Sequence, residues 1–459
     1  MLFDEMAFDP YQKGENKARM AYELYENGQI SQALVELEEA IEIDPSNSAW
    51  HFNKALALDA VGQFEDAIKE YEISLELNPF DTEILNSLAV DYTRTGQYDL
   101  AINVFEHIQE LDPAFEPAYC NRIITYTEMD QHDLAEQMFY LGQQINPDCA
   151  LCYYNIGNNL FVRTQYKKAI GCWERTAEIE PSHPQINYRI AQAYWYEGDH
   201  DKARQYFLNE LRINPGDIDV ILDFGLFLLE AGQLESAKEK FNRIIELKPD
   251  FAPALFYLGE ITFDNKDYES AIELFNQAMQ MDSEPPQLIG PRHRLAQYAL
   301  MTGNKEKARA YLISELDLDP EDSNILVSMA SMFLKVDNID LAIHCLLKSL
   351  ENDCSNPDAY YYLGCVRTIQ VQFEEAAEFF GHALDINPNH INTLRDSSLV
   401  CLAMGKLKQA SGRIKKAKSL ASDDSQLTAI SRRVYIVALL KRIINVISKP
   451  SGIFRKLLR

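Results

Sequence analysis

A marker residue recurs along this chain with a period of 34. Prolines stand at Pro45, Pro79, Pro113, Pro147, Pro181, Pro215 and Pro249, each 34 residues after the last. The series continues at Ser283, Pro320, Cys354, Pro388 and Ser422, with one longer step of 37 residues between 283 and 320. A period of this length argues for one structural unit copied end to end, each copy burying its apolar face against its neighbours. Twelve residues before every marker stands an alanine, from Ala33 and Ala67 to Ala376 and Ala410. Four residues after each alanine comes a bulky apolar side chain, as in Tyr71, Phe105, Phe139, Trp173, Phe275 and Phe380. Twelve residues before each alanine the side chain is small in eleven of twelve units, as in Ala55, Gly157, Gly259 and Gly364, with Ile123 the exception.

Two antiparallel helices per unit account for these columns. The small residue on the first helix and the alanine on the second let the backbones approach, and the bulky residue one turn later fills the groove beside them. Between the helices, Gly28, Gly62, Gly96, Gly198, Gly232, Gly303 and Gly405 supply the left-handed conformation that ends a helix. Asp130, Thr164, Lys266, Asp337 and Val371 replace that glycine, which predicts turns that are looser or one residue different in those units. The proline then stops the second helix and opens the next unit. No segment alternates with period two, so essentially no sheet is expected.

These columns resemble the tetratricopeptide repeat (TPR) over roughly residues 14–422. The resemblance implies an all-α, right-handed superhelical solenoid of about twelve TPR hairpins, with a concave groove lined by the first helix of each unit. The expected segments are an acidic leader at 1–13, units 1–8 at 14–284, units 9–12 at 285–423, and a basic amphipathic helix and tail at 424–459. The longer step carries Pro285, Pro286 and Pro291, and reads either as a bend between units or as a plain surface loop.

Chemistry is scarce. No phosphate-cradling glycine loop, zinc-protease motif or nucleophile elbow is present, and the nine histidines are scattered, so no enzyme activity and no cofactor are expected. Cys149 and Cys152 form a CxxC, with Cys120 and Cys172 in neighbouring units. Such a pair at a helix start suits redox or metal chemistry. A structural zinc site wants four ligands, however, and no second CxxC or paired histidine appears, so packing is the preferred reading and no metal is assigned. With 43 basic against 70 acidic residues, a net charge of −27 repels phosphate backbones and argues against nucleic acid. The first ten residues resemble no export signal and no run of 18 apolar residues occurs, which points to a cytoplasmic location.

In the TPR family the groove-facing positions of the first helix recognise peptides, and the resemblance carries that role to this chain. Asn53, Asn121 and Asn155 share one slot of that helix, and an amide there can pair with the main chain of an extended peptide. Ser87 and Arg189 interrupt the ladder. Asn158 lies nearby, and Tyr154, Tyr188, Trp195 and Tyr196 supply rigid contact area of the hot-spot kind. The alternative is that these aromatics pack on adjacent hairpins. Asp223 and Glu260, with Glu230 and Asp264, suggest that units 7 and 8 take a basic stretch of ligand. The lysines of the carboxylate clamp found in chaperone-binding relatives are missing.

The last 57 residues differ in charge. From 403 onward there are 14 basic and two acidic residues, a net of +12, leaving 29 basic against 68 acidic, or −39, for the rest. Val434, Val437, Leu440, Ile444 and Ile447 recur at helical spacing beside Arg432, Arg433, Lys441 and Arg442. A helix so apolar has to be buried. It can cap the last hairpin, lie in an anionic membrane surface through residues 425–459, or pair with a copy or partner. The expected function is a non-enzymatic scaffold or adaptor for other proteins. The alternative is a membrane-associated assembly factor, peripheral on the inner face of a membrane.

Overall fold

The computed structural model describes residues 10–282, 288–422 and 424–447. Most of the acidic leader, Pro285, Pro286 and the tail from 448 lie outside the described residues. The described residues form 25 helices and no strand. Contacts group the chain into two units, one ending at Ala231 and the other beginning at Gly232. The first unit stacks six helical hairpins, repeats 1–6, and closes with the helix Ile218–Glu230. The second opens with Leu234–Leu247, stacks five hairpins, repeats 8–12, and ends with Ser425–Ile447. Both are all-α solenoids of the TPR type.

With the exception of repeat 4, each second helix buries residues at i, i+4 and i+7, a single stripe of a 3.6-residue helix. In repeat 3 these are Ala101, Phe105 and Ile108, all fully buried. The bulky column does more than fill a neighbouring groove, because its ring lies directly over the small residue of the first helix. A Cβ built on Gly259 would sit 2.6 Å from the Phe275 ring, and one on Gly364 would sit 2.6 Å from Phe380. At Gly157 the indole of Trp173 occupies the space at 2.5 Å, and its Nε1 donates to the Tyr154 carbonyl. Repeat 4 breaks the pattern at both ends. Ile123 fills the small position, and Phe139 alone among the twelve bulky residues is not buried. Met138 takes its place inside, and Phe139 packs edge-on against Tyr153, 5.3 Å between centroids.

The expectation of looser turns at non-glycine positions is corrected. Asp130, Thr164, Lys266, Asp337 and Val371 all adopt positive φ, between 56° and 66°, close to Gly28 at 73°. The hydrogen bonds are also the same. Gln131 N–H reaches the Tyr126 carbonyl at 2.8 Å and Asp130 N–H the Thr127 carbonyl at 3.0 Å, the paired bonds that close a helix through a left-handed residue. Val371 is bonded alike, with Gln372 N–H on Arg367 and its own N–H on Thr368. Two closing bonds per turn outweigh a steric cost of about 1–2 kcal/mol for a residue with a Cβ.

The final helix packs its first half on repeat 12. Leu427 and Val434 are buried against Leu394, Ile414 and Ala417. From Tyr435 to Leu440 its large apolar side chains turn outward, with Tyr435 68% and Ile436 54% exposed.

Two substitutions separate these effects. Val371→Gly relieves a β-branched residue of a left-handed φ and is expected to stabilise the chain by about 0.5–1 kcal/mol. Gly259→Ala drives a methyl group into the Phe275 ring and is expected to cost about 1–3 kcal/mol. Thermal and urea unfolding of the full chain check both, and equal effects would refute the packing described.

Candidate partner-binding face

The face presented by the first helices is built on the 34-residue register. The slot holding Asn53, Asn121 and Asn155 continues as Arg189, Asp223, Tyr257, Arg294, Ser328, Tyr362 and Asp396 once the longer step is counted. The residue just before this slot in one repeat repeatedly bonds to the slot residue of the next, 35 positions on. Asn121 Nδ2 donates to Asn86 Oδ1 at 3.0 Å, and Asn155 Nδ2 donates to the Cys120 carbonyl at 2.9 Å. Tyr188 donates its hydroxyl to Asp223 Oδ2 at 2.8 Å, and Tyr361 does the same to Asp396 at 2.9 Å. His293 Nε2 and Ser328 Oγ lie 2.9 Å apart. The slot thus forms rungs between successive first helices, parallel to the stack, within each unit.

These rungs decide how the expected site residues stand. Asn155 is 3% exposed and its amide is committed to a main-chain carbonyl of its own chain. Asn121 is tied to Asn86. Asn53 is half-buried beside Tyr22, Tyr25 and Leu56 around a small cavity of about 80 Å³. Asn158 is half-buried on the helix that carries Asn155. The acidic residues are occupied as well. Asp223 also accepts from Gln192 Nε2 at 2.8 Å, and Glu230 accepts from Trp195 Nε1 at 2.6 Å. Glu260 holds Arg294 by two parallel bonds of 2.6 and 2.5 Å, the fork geometry of a guanidinium on a carboxylate. A basic ligand would have to displace partners the chain already supplies. Burial together with the Asp223 carboxylate pushes the Tyr188 phenol well above its ordinary range, so it stays a donor.

The aromatics of repeats 5 and 6 are brought together, and they remain partly open. Tyr196 is 58% exposed and stacks on Tyr166 and Trp195, with centroids at 5.4 and 5.7 Å, while Phe161 meets it edge-on. Tyr154 lies over His183 at 4.4 Å.

A sizeable cavity lies in the second unit, and of its lining residues the sequence pointed to Glu260. It measures about 670 Å³. Its lining comes from the first helices of repeats 8, 9 and 10, Ala252–Asp264, Pro291–Met301 and Ser323–Lys335, and from Gly290. Apolar Phe256, Leu300, Met301, Ile325 and Met332 alternate with His293, Arg294, Asn324, Ser328 and Lys335. The signal that could have found these residues is the slot itself, carried past the insertion. The insertion is anchored from behind by Glu315, whose buried carboxylate accepts from Gly290 N–H at the start of Pro291–Met301. Burial raises Glu315 to about 6 despite those backbone donors. Burial, with Arg294 beside it, lowers His293 to about 4.

Away from this face, the described residues bring four metal-ligand side chains together at the junction of repeats 4 and 5: Glu116, Cys120, Cys149 and Cys152. From the sequence, Cys149 and Cys152 stood out as a pair and Cys120 as a further cysteine in a neighbouring unit, whereas nothing pointed to Glu116.

Hairpins of fixed length, stacked through small and aromatic columns, define a helical-repeat protein. Family models agree. The Psidin N-terminal TPR repeats region matches residues 15–143, a tetratricopeptide repeat model matches 154–218, and the middle TPR-like domain of cilia and flagella-associated protein 70 matches 188–289. The chain belongs to the tetratricopeptide-repeat family. No curated protein matches the sequence. Similar solved structures include the APC/C hetero-tetramer Cut9–Hcn1, at 14% identity and TM-score 0.47, covering 92% of this chain and 96% of that one. Yeast Tom70 is similar at 12% identity and TM-score 0.41, covering 98% and 100%. YrrB, described as a TPR protein with an unusual peptide-binding site, is 20% identical at TM-score 0.33, covering 39% and 91%.

The cavity carries a pH signature. His293 is lowered, so its contribution to stability is complete above its ordinary value of 6.5 and is lost as pH falls towards about 4. Glu315 is raised and acts in the opposite sense, its contribution fading as pH rises through about 6. Comparing the native chain with His293→Gln cancels the Glu315 effect. Between pH 6.5 and 4 the variant is expected to gain on the native chain by on the order of 2 kcal/mol. Chemical denaturation at several pH values measures this, and a constant difference would contradict the burial of His293.

Proposed function

We propose that this chain is a non-enzymatic protein-interaction scaffold or adaptor that holds an extended or helical segment of a partner against its first-helix face. The observation that carries the reading is the 670 Å³ cavity whose wall comes from the first helices of three successive repeats and the residue leading into one of them. A cavity built by repetition accepts a linear ligand, since each of the three repeats adds the same register position to the wall, as Glu260, Gln297 and Ser331. Met301, 56% exposed, and Leu300 offer apolar anchorage, while Asn324 and Lys335 stand at the wall to orient the ligand. The half-open aromatics of repeats 5 and 6, Tyr154, Trp195 and Tyr196, form a second contact stretch on the same kind of helix. The asparagine, tyrosine and acidic residues of the slot support the face by bracing it.

Selection of random displayed peptides on the full chain tests the proposal. Enriched peptides are expected to bind at least tenfold more weakly to Met301→Glu with Lys335→Glu, because the change inserts a charge into the apolar wall and inverts another. Loss of binding in Tyr154→Ala with Trp195→Ala would place the contact in repeats 5 and 6. Binding unchanged in both variants would remove the first-helix face from the mechanism.

The final helix favours a second reading, a peripheral membrane contact. Ile436, Leu439 and Leu440 are exposed on it, and Lys415 and Lys418 line the groove where it meets repeat 12. Among the described residues no helix is long and apolar enough to cross a membrane, so the geometry fits insertion of side chains into a surface. Each cation near anionic headgroups adds about 1 kcal/mol. Flotation with phosphatidylserine vesicles is expected for the full chain, weakening with salt and lost in Ile436→Glu with Leu440→Glu. Equal flotation of chain and variant would exclude it.

A further inference from the structure

We infer that repeats 4 and 5 share a structural metal site, made by Cys120, Cys149, Cys152 and Glu116, that takes one zinc-class divalent ion. The four donor atoms lie within 4.8 Å of one another. Cys120 Sγ stands 3.4 Å from Cys149 Sγ and 2.7 Å from Cys152 Sγ. A tetrahedral ion at about 2.3 Å from each sulfur separates its thiolates by about 3.8 Å. The Cys120–Cys149 separation is close to this value, and opening Cys152 from Cys120 by about 1.1 Å would let all three sulfurs meet one ion. Sulfurs that merely filled a core would be spread among apolar neighbours.

The convergence belongs to this junction and to no general feature of the repeat. The positions 34 residues before and after Cys120 hold Asn86 and Tyr154. Those flanking Cys149 hold Phe115 and His183, those flanking Cys152 hold Ala118 and Ile186, and those flanking Glu116 hold Thr82 and Ala150. Space is also provided at this junction by a glycine. A Cβ on Gly142 would stand 2.9 Å from Cys152 Sγ, and the equivalent positions in the adjacent repeats carry Ile108 and Thr176.

The surroundings suit charged ligands. Cys149 caps the helix Ala150–Val162, and its sulfur accepts from Cys152 N–H at 3.1 Å, where the helix end favours a thiolate. Asn146 Nδ2 donates to Glu116 Oε2 at 2.9 Å and so orients the carboxylate, leaving Oε1 for the ion. The three cysteines are at most 4% exposed, and Glu116 is half-buried. Four protein ligands with no vacant position make a structural site, not a catalytic one. Softness of the three thiolates selects zinc over magnesium or calcium. Glu116 and Cys120 come from repeat 4, Cys149 and Cys152 from the start of repeat 5, so the ion clips two repeats together.

The test uses the full chain, reduced and freed of metal by chelation, then titrated with Zn²⁺ alone and with Co²⁺ alone. About one equivalent of zinc is expected. Cobalt is expected to give intense tetrahedral visible bands with a thiolate charge-transfer band. Cys149→Ser with Cys152→Ser should lose the charge-transfer band, and Glu116→Gln should keep it while weakening binding at least tenfold. Cys354→Ser, at an exposed cysteine outside the site, should change nothing. The unaltered chain suffices if the double variant fails to fold. Saturating Zn²⁺ leaving the folded, reduced chain without metal overturns the proposal. So does finding six titratable thiols in denaturant instead of the eight in the sequence, because 8 − 2 = 6 marks a disulfide in their place.

Discussion

The contact between a residue without a side chain, or nearly so, and an aromatic ring governs this molecule. Gly157 under Trp173, Gly259 under Phe275 and Gly364 under Phe380 leave no room for another carbon. That closeness sets the distance between the two helices of a hairpin. It also buries a ring completely without the help of a large core, which a chain of stacked hairpins lacks. Repeat 4 shows the dependence from the other side: a branched Ile123 in the small position goes with a Phe139 that has left the interior and a Met138 that has entered it. A flexible thioether is the side chain best able to occupy an irregular gap.

Much of the fold was readable before any coordinates, because this contact forces the same two residue classes to return every 34 positions. Helix pairs, their order and the end of each repeat follow from that. The turns were readable in place and not in shape. Glycine is the least costly residue for a left-handed φ, so Asp130 or Val371 suggested a different turn. The backbone bonds around them hold the same geometry regardless, which is a property of the helix end and not of the residue.

The face of the first helices was readable as a list of positions, and its bonding was not. Sequence places Asn155 in the slot, but its partner is a carbonyl 35 residues away on the neighbouring helix, and only the stacking register brings the two together. The same limit hid the metal ligands. A CxxC looks like half a site, and the half that completes it sits 29 to 36 residues earlier, on a surface that becomes adjacent only when hairpin lies on hairpin. Past the longer step the register also shifts by three, which is why Arg294 and Ser328 were not lined up with Asn121.

The rungs between first helices have a thermodynamic meaning for recognition. A ligand group that bonds to a slot residue exchanges one hydrogen bond for another, so its net gain is the small difference between two similar bonds. On the proposed reading, discrimination among polar ligand sequences along this face would be correspondingly weak. The braced side chains, on the other hand, are already ordered, and association does not have to immobilise them. On the proposed reading, such a surface would favour ligands by contour and apolar fit and would tolerate many sequences that share a shape.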